Sequence, residues 1–227
     1  MLVKKGASIA LVFPFSILCM ILSAHNIFVS QKNRLKANGF LEILSKKNEK
    51  SSLIPCGTNI KLFLPIDKLQ ARKELSLDSN EKLVLFAGAF NNTVKNPELA
   101  KAAMALLPDT KLLELSGYSR HEVVLLMNAV DAVLMTSFTE GSPQFIKEAM
   151  ACNCPIVSVP VGDVPDVIDN IDGCFLTTYN EKDIANDIKK AIMFNNKTVG
   201  RKKIIELGLD AESVVKKILD VYLKCRN

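Results

Sequence analysis

"AVLMTSFTEGSPQFIKEAMACNCPIVSV", residues 132–159, holds two apolar runs with a capped helical segment between them. "AVLMTS" (132–137) is a short apolar run of strand length, and "PIVSV" (155–159) is another. Between them Ser142 suits a helix N-cap and Pro143 the first helical position, so a helix is expected over 143–152. Strand, helix and strand in that order form a βαβ unit, which places the two strands parallel in one sheet.

The same alternation extends outward. Upstream stand "LVLFAG" (83–88) as a strand and "NPELAKAAMALL" (96–107) as a helix opened by Asn96 and Pro97. "TKLLELSG" (110–117) reads as a strand and "RHEVVLLMNAV" (120–130) has apolar residues at helical spacing. Downstream come "GCFLTT" (173–178) as a strand and two or three helices in the last forty-odd residues. Short apolar strands suit a sheet covered on both faces. The expected fold is therefore α/β: a doubly wound, Rossmann-like parallel sheet over 58–227. "LIPCGTNIKLFLPID" (53–67), with its prolines and glycine, reads as a connection, and 1–57 as a smaller separate piece with a strand at "NIFVS" (26–30) and a basic helix.

The whole chain has 227 residues, 48% hydrophobic, with no tryptophan and a net charge of +5. Its basic residues are dispersed without the aromatic-interleaved patch of a nucleic-acid binder, so nucleic acid is not an expected partner. The six cysteines include only one close pair, Cys152 and Cys154, and there are two histidines, a poor set for zinc. Thiols in apolar runs fit a reducing compartment, and a cytoplasmic location is expected. Peripheral contact with an anionic membrane surface is compatible with the charge. Residues 7–24 form an apolar stretch behind Lys4 and Lys5, interrupted by Pro14. It reads either as a buried helix or as a signal peptide or membrane anchor.

Ligands of open parallel sheets bind beyond the carboxyl ends of the strands. There Gly141 permits a sharp turn or a close backbone approach, and the helix behind it offers free N–H groups to an anion. Glu140 precedes that turn and Glu148 lies inside the helix. Carboxylates accept hydrogen bonds from sugar or ribose hydroxyls but do not suit a phosphate. A phosphate at the helix end between two such carboxylates describes a nucleotide sugar; the bland alternative is a solvated helix with Glu148 as a surface charge. Lys95, just ahead of Asn96, is a cation able to neutralise a diphosphate, or else an exposed loop lysine.

"TEGSPQFIKEAMACNCPIVSVPVGDVPDVI" (139–168) resembles the signature of the family 4, or group 1, retaining glycosyltransferases of the GT-B fold: Glu-Gly, Pro, Glu-Ala-Met-Ala, then Pro and a Gly-containing turn. The 53–65 segment resembles the family's connector. The resemblance covers about 25–225 and is most specific at 139–168. It implies a nucleotide diphosphate sugar as donor, an unidentified hydroxyl acceptor (glycan, lipid or small molecule), and no other cofactor. Glu140 would approach the donor sugar's hydroxyls and Glu148 the ribose. The turn of Gly141, Ser142 and Pro143 would bring backbone N–H groups to the sugar and phosphates, Lys95 would stabilise the departing diphosphate, and Gly117 and Tyr118 would fall at the base pocket. No Asp-x-Asp motif occurs, so no metal is expected.

Three features depart from the family pattern. Gly88 is followed by Ala89 where the family carries a phosphate-binding arginine. Asn153 replaces a glycine after the helix, a mild change because asparagine tolerates the left-handed C-cap. Most of the acceptor-side domain is lacking, and 1–57 resemble its last helix and strand. That alignment favours the buried-helix reading of 7–24 and an incomplete enzyme. A nucleotide-binding half without transfer of its own and a membrane-anchored interaction protein are the competing classes.

Overall fold

The computed structural model describes residues 19–20, 22–31, 33–35 and 51–226. The 7–24 stretch and the basic segment after residue 30 lie largely outside them. Among the described residues no helix is long and apolar enough to cross a membrane. The chain divides into two compact units, one drawn from Met1–Ile54 with Val215–Asn227 and the other Pro55–Val214.

In the smaller unit β1 (Asn26–Phe28) pairs in parallel with β2 (Ser51–Leu53), Asn26 opposite Ser51. His25 shares a hydrogen bond with the Ser52 hydroxyl at 2.9 Å at the edge of this pair.

The larger unit holds five parallel strands: β3 (Lys82–Phe86), β4 (Thr110–Glu114), β5 (Ala132–Met135), β6 (Ile156–Ser158) and β7 (Cys174–Leu176), in the order β4-β3-β5-β6-β7. Side chains of a strand alternate between faces, so each strand feeds two cores. Leu83, Leu85, Val133, Met135 and Ile156 point into one. They meet α3 (Arg120–Ala129), α4 (Gln144–Ala151), α5 (Val164–Ile168) and α7 (Gly200–Glu206). Val84, Phe86, Leu134 and Val157 point into the other, against Ala100, Ala103 and Met104 of α2 (Pro97–Ala105) and Ile184, Ile188 and Ala191 of α6 (Glu181–Phe194). Leu83–Phe86 are wholly buried, each side chain worth ~1.5–3 kcal/mol in transfer terms. This is the doubly wound sheet expected from the alternation of elements.

The terminal helices number three, α6, α7 and α8 (Ala211–Arg226). Asn153 takes the left-handed conformation (φ 56°), as the asparagine-for-glycine exchange requires. Its side-chain oxygen then accepts from the Arg201 amide at 2.8 Å.

Some local readings are corrected. The central helix runs Gln144–Ala151, with Pro143 at the N-cap in an extended conformation and no side-chain cap. Asn96 does precede Pro97 at the start of α2, but in a left-handed conformation and without a side-chain cap bond. The 53–67 segment is more than a connection: Phe63 is fully buried in the core. The Arg201 guanidinium donates to the carbonyls of Phe63 and Ile60 at 2.7 and 2.8 Å. α1 (Lys68–Glu74), capped by Asp67, shows no helical apolar period in the sequence because its apolar positions are few.

Candidate functional site

The strand order reverses direction between β3 and β5, and the crevice at the carboxyl ends of strands at such a reversal is where ligands of open parallel sheets bind. From β3 the chain passes Gly88 and makes a 3₁₀ turn over Thr93–Lys95. From β5 it passes Thr136 to Glu140. The buried Thr136 hydroxyl lies 2.9 Å from both the Lys95 and the Asn96 carbonyl oxygens, and the Phe138 amide donates to Val94 at 3.0 Å. These bonds fix one loop upon the other, and Lys95 Nζ donates to Glu140 Oε1 at 2.6 Å. Both side chains are mostly covered, 24% and 17% exposed. A Cβ at residue 88 would lie 3.0 Å from Lys95 Cγ, so Gly88 leaves the corridor through which the lysine runs.

Beyond Glu140 the backbone turns at Gly141. A Cβ on Gly162 (φ +62°) would stand 2.6 Å from the Gly141 carbonyl oxygen, so the loops after β5 and β6 touch backbone to backbone. Ser142 does not cap the helix. Its hydroxyl donates to Asp163 Oδ2 at 2.7 Å and accepts from the Cys56 amide at 3.0 Å. Lys147 Nζ reaches the same Asp163 oxygen at 2.7 Å and also bonds Ser142 Oγ. The Lys147 and Asp163 side chains are 1% and 6% exposed. A buried ion pair with a hydroxyl at its centre thus holds the start of α4, and Pro143 is buried.

Glu148 is buried rather than a solvated surface charge. Its Oε1 accepts from Arg120 Nη2 at 2.7 Å, and the Arg120 guanidinium lies 4.7 Å from the centre of the Phe63 ring. Arg120 opens α3, whose Ser119 and Glu122 form a reciprocal capping box. Gly117 (φ +80°) and the 41%-exposed Tyr118 stand just ahead of that cap, in the turn after β4. Gly117 and Tyr118 thus precede by three and two positions the arginine that bonds Glu148.

Two groupings result, Gly88–Lys95–Glu140 at the strand reversal and Glu148–Arg120 beside the turn after β4, with Gly141–Ser142–Pro143 leading from Glu140 into α4. Arg120, Lys147, Asp163 and Thr136 did not stand out in the sequence. The one legible hint was a lysine inside an otherwise apolar helix face, since such a residue must find a buried partner. Across the mouth, Tyr179 donates its hydroxyl to the Ser137 carbonyl at 2.8 Å and stacks on Phe138 with ring centres 6.3 Å apart. Burial pushes the Tyr179 phenol up. Burial likewise raises the Cys152 and Cys154 thiols to about 12, so neither supplies a thiolate at neutral pH. Among the described residues no three His, Cys, Asp or Glu side chains gather as a metal site.

Comparison with known proteins gives the following. Residues 94–193 match the family described as glycosyl transferases group 1. A D-inositol 3-phosphate glycosyltransferase of Mycolicibacterium vanbaalenii is 25% identical over 185 residues, covering 64% of this chain and 41% of its own. Sucrose-phosphate synthase from Thermosynechococcus elongatus superposes with a TM-score of 0.71 at 22% identity, over 87% of this chain and 57% of that one. HepE from Anabaena, solved in complex with UDP, gives 0.73 at 19%, over 91% and 65%. The chain spans less than half the length of the curated relative it matches.

Proposed function

We propose that residues 58–227 bind a nucleoside diphosphate sugar and take part in transferring its glycosyl unit to a hydroxyl acceptor with retained configuration, a reading supported by the match of residues 94–193 to the group 1 glycosyl transferases. The observation that carries this reading is the Lys95–Glu140 pair at the strand reversal. It joins a cation fit for a diphosphate to a carboxylate fit for sugar hydroxyls. The UDP and UDP-glucose complexes of HepE from Anabaena, a structural neighbour, support it.

In this reading the donor separates the pair. Lys95 turns to the phosphate oxygens that gain charge as the glycosyl–oxygen bond breaks, and Glu140 accepts hydrogen bonds from the sugar. The backbone N–H groups of Gly141, Ser142 and Gln144 face the same charge, a preorganised arrangement that needs no reorganisation during the step. Glu148 takes the ribose hydroxyls, held in place by Arg120. Gly117 and Tyr118 border the base. The donor's charge is carried by these groups without a metal ion, so chelator should leave donor binding unchanged.

Calorimetric titration with uridine, guanosine and adenosine diphosphates, their nucleosides and their sugar conjugates tests the assignment. For the base that binds, Lys95→Ala should weaken the diphosphate by ~1.5–3 kcal/mol, the range of a charge-assisted hydrogen bond, and spare the nucleoside. Glu148→Ala should weaken both, and Glu140→Ala only the sugar conjugate. Equal losses in all ligands for all variants, or no binding by the parent chain, would sink the reading.

A further inference from the structure

The amino ends of the strands carry a second opening, on the far side of the sheet from the crevice described above. It is a cavity of about 340 Å³ between the start of α1, the end of α3, the residues entering β5 and β6, and the turn after α6. Its volume falls at the lower end of the range for small-molecule pockets. Much of its wall is apolar: Ile66, Met127, Val130, Pro155 and Ile192.

The charges around it do not balance. Asp131 receives both Lys68 and Arg72, the latter at 3.1 Å, and also accepts from the Leu83 amide at 2.7 Å. Its single negative charge is thus shared between two cations. Asp67 caps α1 through the Gln70 amide at 2.9 Å. Lys197 is the third cation, half-buried in the turn after α6. Its ammonium donates to Asn128 Oδ1 at 2.8 Å and, at 3.4 Å, to the Cys152 carbonyl. Both acceptors are neutral, and an ammonium has three protons to give. Among the described residues no carboxylate pairs with Lys197. Loss of solvent above all pushes the amine below its ordinary value; Cys154 and Cys152 act in the opposite sense, and the smaller influences of Lys68 and Asp67 oppose each other. Counting Lys68, Arg72 and Lys197 against Asp67 and Asp131, one positive charge is left over.

We propose that this cavity binds a small monovalent organic anion, a short-chain carboxylate whose charge rests on Lys197 and whose hydrocarbon body lies against Ile66, Met127, Val130 and Ile192. One leftover cation matches one negative charge. A largely apolar wall rewards a hydrocarbon tail, which inorganic phosphate lacks. The site is separate from the donor crevice because it opens at the opposite ends of the same strands.

Butyrate is the probe, with butyramide as its uncharged equivalent in shape and inorganic phosphate as an anion without a tail. The full chain is treated with an amine-acetylating reagent, and acetylation is followed at each lysine by peptide mass spectrometry. At butyrate about ten times its Kd, labelling of Lys197 should slow about tenfold, because protection follows 1 + [L]/Kd. Labelling of the exposed Lys189 should not change. Butyramide and phosphate should protect little, and the thermal midpoint should rise with butyrate alone. Lys197→Met should abolish the rise while keeping a cooperative melt of its own. The proposal is overturned if butyrate leaves Lys197 labelling unchanged up to tens of millimolar. It is equally overturned if butyramide protects as well as butyrate, if phosphate does, or if Lys197→Met still responds.

Discussion

Arg120 shows what a single side chain does at this site. Its guanidinium lies on the Phe63 ring and reaches Glu148, so one residue orients a buried carboxylate from a neighbouring helix. Arg120→Ala leaves Glu148 covered and without its cation. Nucleoside affinity is then expected to fall about tenfold, a loss of ~1.4 kcal/mol. Arg120→Lys should recover little, because an ammonium lacks the planar fork that stacks on a ring while donating sideways. Titration of the nucleoside against both variants checks this, and full recovery by lysine would show that charge alone positions Glu148. Glu140, Glu148 and Lys95 were legible from their residue types beside a strand end and a helix start. Arg120 was not, because nothing in the spacing of 120 and 148 tells that two helices bring them together.

At the scale of elements, α4 depends on a buried charge pair. Lys147 and Asp163 share one Ser142 hydroxyl, and Asp163 Oδ1 is buried with no protein partner. Lys147→Met would strand the carboxylate, and removal of one partner from a buried pair costs ~3–5 kcal/mol. Lys147→Met combined with Asp163→Asn should cost clearly less, since no unpaired charge remains. Chemical denaturation of the single and double variants measures the difference. Similar losses in both would mean that packing, and not charge, dominates. The expected cap at Ser142 failed for the same reason: the hydroxyl had a stronger bid from Asp163 and Lys147 than from the helix amides. Strand and helix types were readable because their periods are local. Cap occupancy was not, because it depends on a residue twenty-one positions away.

At the scale of the molecule, the cysteines report how tightly the larger unit is closed. Cys152 and Cys154 are buried, Cys174 is half-buried, and burial raises all three thiols to about 12. Cys19 and Cys225 are exposed. A thiol-reactive dye at pH 8 should therefore modify Cys19 and Cys225 at once. Cys152, Cys154 and Cys174 should wait for unfolding, since only the thiolate attacks. Rapid labelling of Cys152 or Cys154 in the folded chain, mapped by mass spectrometry, would contradict the packing. The parallel sheet was legible from the spacing of its apolar runs. The order of its strands was not, because it is set by which helix packs on which face, and that order is what places the crevice between β3 and β5.

The space left by Gly88 couples two distant choices in the chain. The Lys95 methylenes occupy the position that any side chain at 88 would need. Genetic drift at one position is therefore conditional on the other. A library randomised at 88 and 95 together, selected for donor binding, should return glycine at 88 wherever lysine is kept at 95. Larger residues at 88 should survive only beside a shorter residue at 95 and a cation recruited from elsewhere.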